Sequence, residues 1–289
     1  MKHSVWPRLL SLALCAALAG CQSHPIVAVP SPYRADRTET QSGLTPQERA
    51  WAGKNCYMGE PRLDNPPDGR NRIVSRAGYT LQHSSLYRQA LWVAEGFTTA
   101  ELKGPGNRDK SKFQADPTLP VAERSEVRDY DRSGFDRGHL APAGDFNRSQ
   151  RATDESFYMS NMSPQVGPDF NRAIWRYLED KARDLVAAAG RGYIITGPMF
   201  YDPEEEDPTK ADGLVPLKWV KSRVAVPTHY YKIVVTERAG QPVQCVAFVL
   251  ENRRYKLGAN ADFSQFIKPV DWIEKRTSIN FMQIGRAHV

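Results

Sequence analysis

Apolar and polar positions along the chain fall into three kinds of pattern. Residues 9–18 form a largely apolar run behind a short basic start. Further on, Phe170, Ile174, Tyr177, Leu178, Leu185, Val186 and Ala189 share one stripe at helical spacing, which Gly190 ends. Short runs rich in β-branched and aromatic residues supply the third pattern. "GYTLQHSSLYRQALWVAEGFT" (78–98) predicts two strands joined by a polar turn around Ser84-Ser85, and "SFYMSNM" (156–162) and "GYIITGP" (192–198) predict strands flanking the long helix. "SRVAVPTHYYKIVVTE" (222–237) and "VQCVAFVLEN" (243–252) predict two more strands, and a terminal helix near "DWIEKRTS" starts at about Pro269. Before all of these, Thr45, Pro46 and Glu48 have the spacing of a capping box opening a short helix. Helices and strands do not alternate regularly. The expected fold is therefore α+β, with a largely antiparallel central sheet flanked by helices, rather than a doubly wound one.

The N-terminal pattern sets the domain organisation. Lys2 and Arg8, the apolar run and Ala19-Gly20-Cys21 read as a secretory signal over 1–20, too short to span a membrane stably. Leu18-Ala19-Gly20-Cys21 resembles the bacterial lipobox, which implies lipidation of Cys21 and a membrane anchor through acyl chains. Gln22 stands where a retention-type Asp would sit, so resemblance to sorted lipoproteins implies the outer membrane, facing the periplasm. Residues 21–51, polar and Pro-containing, read as a tether with the short helix, and 52–289 as one domain large enough for a substantial core. The formal charge of +6 loses only Lys2 and Arg8 on removal of the signal. That mild basic excess tolerates a polyanionic partner without requiring one. Cys56 and Cys245 are then the pair available for a disulfide, and a buried free thiol reads equally well for Cys245 in "VQCVAFVL".

One stretch carries unusual chemistry for a core. "GFDRGHLAPAGDFNR" (134–148) places Arg137, Gly138 and His139 together, and Asn147, Asn161 and Asn171 follow. Cleaving a phosphodiester requires deprotonating a water, compensating charge on the phosphate and stabilising the leaving oxygen. His139 suits the first task while its imidazole is neutral, and Arg137 offers a fork of donors matched to phosphate. Gly138 lets the backbone approach closely. An amide oxygen such as that of Asn171 suits a hard cation that keeps most of its waters. Glu179, eight residues along, stands about 12 Å away on an ideal helix, too far to share a cation directly but placed to hold its water. Each residue also has a plainer reading: His139 as a satisfied core imidazole, Asn171 as a helix cap, Glu179 as a solvated side chain near Lys181 and Arg183.

"DRGH" (136–139), "SNMSPQ" (160–165) and "NRAIWRYLE" (171–179) resemble, in order, the signature blocks of the DNA/RNA non-specific endonuclease family, which belongs to the ββα-metal, or His-Me finger, nucleases. Blocks from "GYTLQHSS" to "DWIEKRTSINF" extend the similarity over about 56–282. The resemblance implies a ββα-metal active-site motif and Mg²⁺ as cofactor, with Mn²⁺ as a substitute. It implies cleavage of DNA and RNA to 5′-phosphate ends with little regard for sequence or sugar. By the same resemblance His139 is the general base, Asn171 the Mg²⁺ ligand and Glu179 acts on the metal's water shell. Asn161 supports the imidazole or the substrate, and Arg137 faces the phosphate.

The sequence departs from that pattern once. Many members carry a second phosphate-facing Arg just before an aromatic-x-x-Asp-Pro block. Here Phe113, Asp116 and Pro117 are in place, but Ser111 occupies the Arg position. Lys110, Lys112 or Arg108 is expected to substitute, although Lys lacks the bidentate fork. This departure sustains a rival reading, a nucleic-acid-binding envelope lipoprotein with impaired catalysis. A hydrolase of another phosphodiester is the second rival. Neither an inhibitor protein nor an oligomeric state is legible. His83 and His229 have no partners at metal-ligand spacing, and "DPEEEDP" (202–208) reads as a solvated loop.

Overall fold

The computed structural model describes residues 43–64, 66, 70–201 and 217–281. The expected signal, lipidated Cys21, most of the tether and the acidic run at 202–208 lie outside the described residues.

Six strands form one antiparallel sheet in the order β11-β10-β7-β4-β3-β2. They are β2 (Asn71–Ser75), β3 (Thr80–Ser84), β4 (Gln89–Thr98), β7 (Arg191–Met199), β10 (His229–Glu237) and β11 (Gln244–Glu251). The central strands read as nearly continuous apolar runs because both faces are covered. On one face Val93, Tyr230 and Phe248 pack with Phe170, Trp175 and Leu178, and Phe97, Ile194 and Val234 with Ala182 and Val186. The alternate residues Trp92, Ala94, Ile195, Tyr231 and Ile233 face the other way and pack with Ile273. Ile273 belongs to the terminal helix α4 (Val270–Thr277), which starts behind Pro269 as the sequence predicts. Short pairs complete the topology: β1 (Arg62–Leu63) with β12 (Ile279–Asn280), and β8 (Lys218–Val220) with β9 (Val224–Val226).

Helix α1 (Pro46–Asn55) has the predicted capping box, with Glu48 N–H donating to Thr45 Oγ1 at 3.2 Å and Thr45 N–H to Glu48 Oε2 at 2.7 Å. Its last residue, Asn55, is fully buried and donates to Arg76 O (2.8 Å) and Thr80 Oγ1 (3.2 Å). The helix thus crosses the expected boundary at 51/52 and is docked on the sheet rather than being part of a tether.

A separate two-stranded ribbon pairs β5 (Phe135–His139) with β6 (Met162–Val166). It leads straight into a helix, giving the expected β-β-α succession. Three local expectations need correction. The strand expected at 156–162 begins only at Met162, because Ser149 accepts from Ala152 N–H (3.1 Å) and caps a helix α2 over Gln150–Ser156. The strand expected over 222–237 is split at Pro227, whose missing N–H interrupts a ladder. The long helix is α-helical only in α3 (Arg176–Ala189); Gly167–Trp175 is wound as a wider π-helix. Such windings are uncommon and concentrate at functional sites. Gly190 ends α3 at φ 99°, as the sequence predicts.

Candidate active site

The ribbon positions the chemistry. Strand alternation sends Arg137 and His139 to one face of β5 and Asp136 and Gly138 to the other. Phe113 sits between the first two, its ring 5.8 Å from the imidazole centroid and 5.4 Å from the Arg137 guanidinium. Phe157 meets the imidazole edge-on at 4.8 Å. The His139 residue as a whole is half-buried, yet its Nε2 is enclosed and has no hydrogen-bond partner. Burial first, then the charge of Arg108, pulls its pKa down to about 3. An unprotonated imidazole with an uncommitted nitrogen is what a general base requires. On the other face, a Cβ at Gly138 would fall 2.0 Å from Gln165 Oε1, so the glycine lets that side chain lie against the strand. Gln165 is itself fully buried with neither amide atom partnered.

Asn171 projects from the π-helical turn and donates Nδ2 to Asp136 Oδ2 at 2.9 Å. A carboxylate accepts only from the NH₂ side of an amide, so this bond fixes Oδ1 as the free acceptor. Arg172 closes on the same carboxylate, Nε to Oδ2 at 2.7 Å and Nη2 to Oδ1 at 2.6 Å. Against burial, which pushes the other way, these bonds hold Asp136 below the usual carboxylate range. Asp136 went unremarked in the sequence reading although it lies inside "DRGH". Among the described residues no three His, Cys, Asp or Glu side chains are placed to hold a metal ion. One oriented amide oxygen suits Mg²⁺, which takes few protein ligands and keeps its waters.

Asn161 is not part of a substrate surface. It is fully buried; its Oδ1 accepts from Ala141 N–H (3.0 Å), and its Nδ2 donates to Ala141 O (2.9 Å) and Ser156 O (2.8 Å). Its own carbonyl accepts from Leu140 N–H at 3.0 Å. Its side chain and carbonyl tie the two residues after His139, Leu140 and Ala141, to the segment around Ser156.

Arg137 is also more committed than expected, because its Nη2 donates to Val127 O (3.1 Å) and Asp131 Oδ1 (2.7 Å). Ser111 serves the scaffold: its hydroxyl donates to Asp154 Oδ1 at 2.6 Å and accepts from Gln150 Nε2 at 3.3 Å. Asp116 of the same block is buried against Arg76 at 2.7 Å. Of the three basic residues considered for the missing Arg, all exposed on this loop, Arg108 is the one whose charge acts on His139.

Glu179 is not a freely solvated helix residue. It overlies a buried group made of Glu95, Asp145 and Lys232, and burial raises its pKa to about 7 against the pull of Lys232. No spacing in the sequence links these residues, which come from β4, a turn, α3 and β10. Elsewhere, Cys56 and Cys245 are free thiols, so the disulfide does not form. Cys56 is enclosed beside Thr80 of β3, whereas Cys245 lies on the edge strand β11. His83 bonds Glu123 O at 3.1 Å, and His229 stacks on Tyr201 at 4.1 Å; both are structural.

The model of the family described as DNA/RNA non-specific endonuclease matches residues 62–285. Nuclease C1 of Cunninghamella echinulata var. echinulata is 38% identical over 220 residues, covering 74% of this chain and 84% of its own. Mitochondrial endonuclease G of Bos taurus is 36% identical over 243 residues, 81% of this chain and 79% of its own. Among solved structures, that of an EndoG/EndoGI complex, described as showing the mechanism of EndoG inhibition, superposes with a TM-score of 0.69 at 34% identity. It covers 78% of this chain and 89% of that one. The chain belongs to the DNA/RNA non-specific endonuclease family and is a DNA/RNA endonuclease.

Proposed function

We propose that the enzyme is Mg²⁺-dependent and hydrolyses phosphodiester bonds of DNA and RNA to 5′-phosphate ends, with His139 as general base. The observation that carries this reading is a single strand, β5, bearing both the unpartnered imidazole and the carboxylate that orients Asn171. Nε2 of His139 takes the proton of the attacking water, and its apolar collar of Phe113 and Phe157 keeps the ring neutral beforehand. Asn171 would hold the cation through Oδ1, and Asp136 with Arg172 fixes Asn171 in place. Mg²⁺, when bound, supplies Lewis-acid compensation for the charge on the phosphate and the leaving 3′-oxygen. Glu179 would accept a hydrogen bond from water on a bound cation. Arg108 takes the phosphate-facing role left open by Ser111, assisted by Lys110 and Lys112. Contact to the backbone rather than to base edges gives cleavage without sequence preference.

Nicking of supercoiled plasmid and degradation of RNA in Mg²⁺, with and without chelator, test this reading. Retarded but uncut DNA would instead support a binding protein.

A lipid anchor at Cys21 and residence at the outer membrane are proposed from the N-terminal sequence alone, since the family match begins at residue 62. Cys21→Ser should then move the protein from the membrane fraction to the soluble one. A variant that stays with the membrane counts against lipidation as the tether.

A further inference from the structure

Beneath α3, on the inner face of the sheet, lies a layer of ionisable side chains that the mechanism above does not use. Glu95, on β4, is 1% exposed, and neither carboxylate oxygen has a hydrogen-bond partner. Lys232, on β10, is fully buried; its Nζ donates to Thr196 Oγ1 on the intervening β7 at 2.6 Å and lies 5.2 Å from the Trp175 ring. Asp145, also fully buried, closes the turn Ala143–Asp145. Arg183 from α3 pairs with Asp145, and its Nη1 donates to Asp180 Oδ1 at 2.8 Å. Glu179 reaches this layer from the same helix. The charged groups that face it are Lys232 from β10, Asp145 from the turn, Glu95 from β4, and Arg183 and Asp180 from its own helix. Glu95 acts on the same Lys232.

The charges do not balance. Arg183 is committed to Asp145 and Asp180, which leaves one ammonium, Lys232, for two carboxyls, Glu95 and Glu179. An unpaired buried carboxylate is far more costly than a neutral acid. Glu95 is the more enclosed of the two and has no hydrogen-bond partner on its carboxylate, whereas Glu179 is half-buried. Of the two, Glu95 keeps its proton the longer, and Glu179 carries the negative charge above about pH 7.

We propose that Lys232 and Glu95 are positioning residues for Glu179: Lys232 is its buried counter-ion, and Glu95 is a protonated acid that leaves that counter-ion to Glu179. This inference rests on the reading of Glu179 as the residue that holds the water shell of the cation. Burial pushes Glu95 well above the usual carboxylate range, in keeping with a neutral side chain. The cluster is not itself a metal site, since no group of three His, Cys, Asp or Glu among the described residues is placed to hold one.

The test is the pH profile of kcat/KM on an oligonucleotide at saturating Mg²⁺, with the full chain and the variants Lys232→Met, Glu95→Gln and Glu179→Gln. Lys232→Met should move the acid limb up by about one pH unit or more, with activity recovered at alkaline pH, because Glu179 loses its counter-ion. Glu95→Gln should leave the limb where it is, since an amide replaces an already neutral acid. A uniform loss of rate in Lys232→Met with an unmoved limb would mark Lys232 as merely structural and overturn the proposal. A limb that moves down in Glu95→Gln would show Glu95 ionised, and overturn it too. Carboxyl ¹³C NMR of the wild-type protein, with Glu95 assigned from Glu95→Gln, needs no folded Lys232 variant. Glu95 should stay protonated through pH 7, and titration in the ordinary Glu range refutes the scheme. If Glu179→Gln keeps the wild-type profile, the role given to Glu179 in the water shell fails instead, while the NMR titration still decides the charge assignment.

Discussion

Asn171 and Asp136 are joined by a 2.9 Å hydrogen bond that ties the π-helical turn to the strand ending in His139. The bond turns the amide so that its oxygen is free, and Arg172 pins the same carboxylate from the neighbouring position. The side chain proposed to hold the cation is thus oriented by the strand that carries the proposed base.

Asp136→Asn removes the charge that Arg172 and Asn171 share, and with it the fixed orientation of the amide. We expect the Mg²⁺ concentration for half-maximal nicking to rise by roughly 10–100-fold, the usual effect of losing a residue that orients a metal ligand. A metal titration checks this, and a superimposable curve would remove Asp136 from the site.

Asn161→Ala leaves the Ala141 N–H and the Ala141 and Ser156 carbonyls without their side-chain partner inside the protein. We expect a loss of about 1–3 kcal/mol in urea unfolding, the range for buried groups left unsatisfied. Activity should fall as well, measured on protein that is still folded, because the backbone after His139 is released. An active and equally stable variant contradicts the clamp.

Acid–base behaviour separates the two titrating groups. His139 is held near 3, so its imidazole is already neutral across the pH range in which most assays are run. A rise in rate as its proton is lost is therefore expected only at strongly acid pH. Glu179 is ionised only above about 7, so in this account a rise through pH 7 belongs to it, and Glu179→Gln abolishes that limb. Stability follows the depressed imidazole. Its contribution is complete above the unfolded value of 6.5 and is lost as pH falls toward 3. Unfolding measured from pH 7 down to 4 should show a shallower loss in His139→Gln than in wild type.

Much of this architecture is legible in the chain. Thr45 and Glu48 announce α1, the Phe170–Ala189 stripe announces the long helix, and β7, β10 and β11 lie where their β-branched runs place them. The failures have physical causes. Phe135–His139 contains charged residues at two successive positions and no apolar alternation, so only its pairing with β6 makes it a strand. The π-helical winding keeps the apolar periodicity of an α-helix closely enough that the stripe does not betray it. Asn161 looks like a polar candidate for substrate, and only its three-dimensional neighbours show it fully used. Glu95 sits inside "LWVAEGF", where strand alternation offers no reason to suspect a buried acid.

Arg108 is the exposed charge that reaches His139, and Ser111 is bonded to Asp154 and Gln150. Arg108→Ala should raise KM several-fold and lower the salt dependence of binding by about one phosphate contact, a slope change of roughly 0.9 for duplex DNA. Ser111→Ala should leave both unchanged. The reverse pattern would return the phosphate contact to position 111.

The most direct measurement is nicking of supercoiled plasmid in Mg²⁺ by wild type and by His139→Ala, with folding checked by circular dichroism. Wild type should nick and linearise the plasmid, with cleavage abolished by chelator. Folded His139→Ala should lose on the order of 10²–10⁴-fold or more, the contribution of a general base. A folded His139→Ala that cuts at the wild-type rate would contradict the assignment on which the mechanism rests.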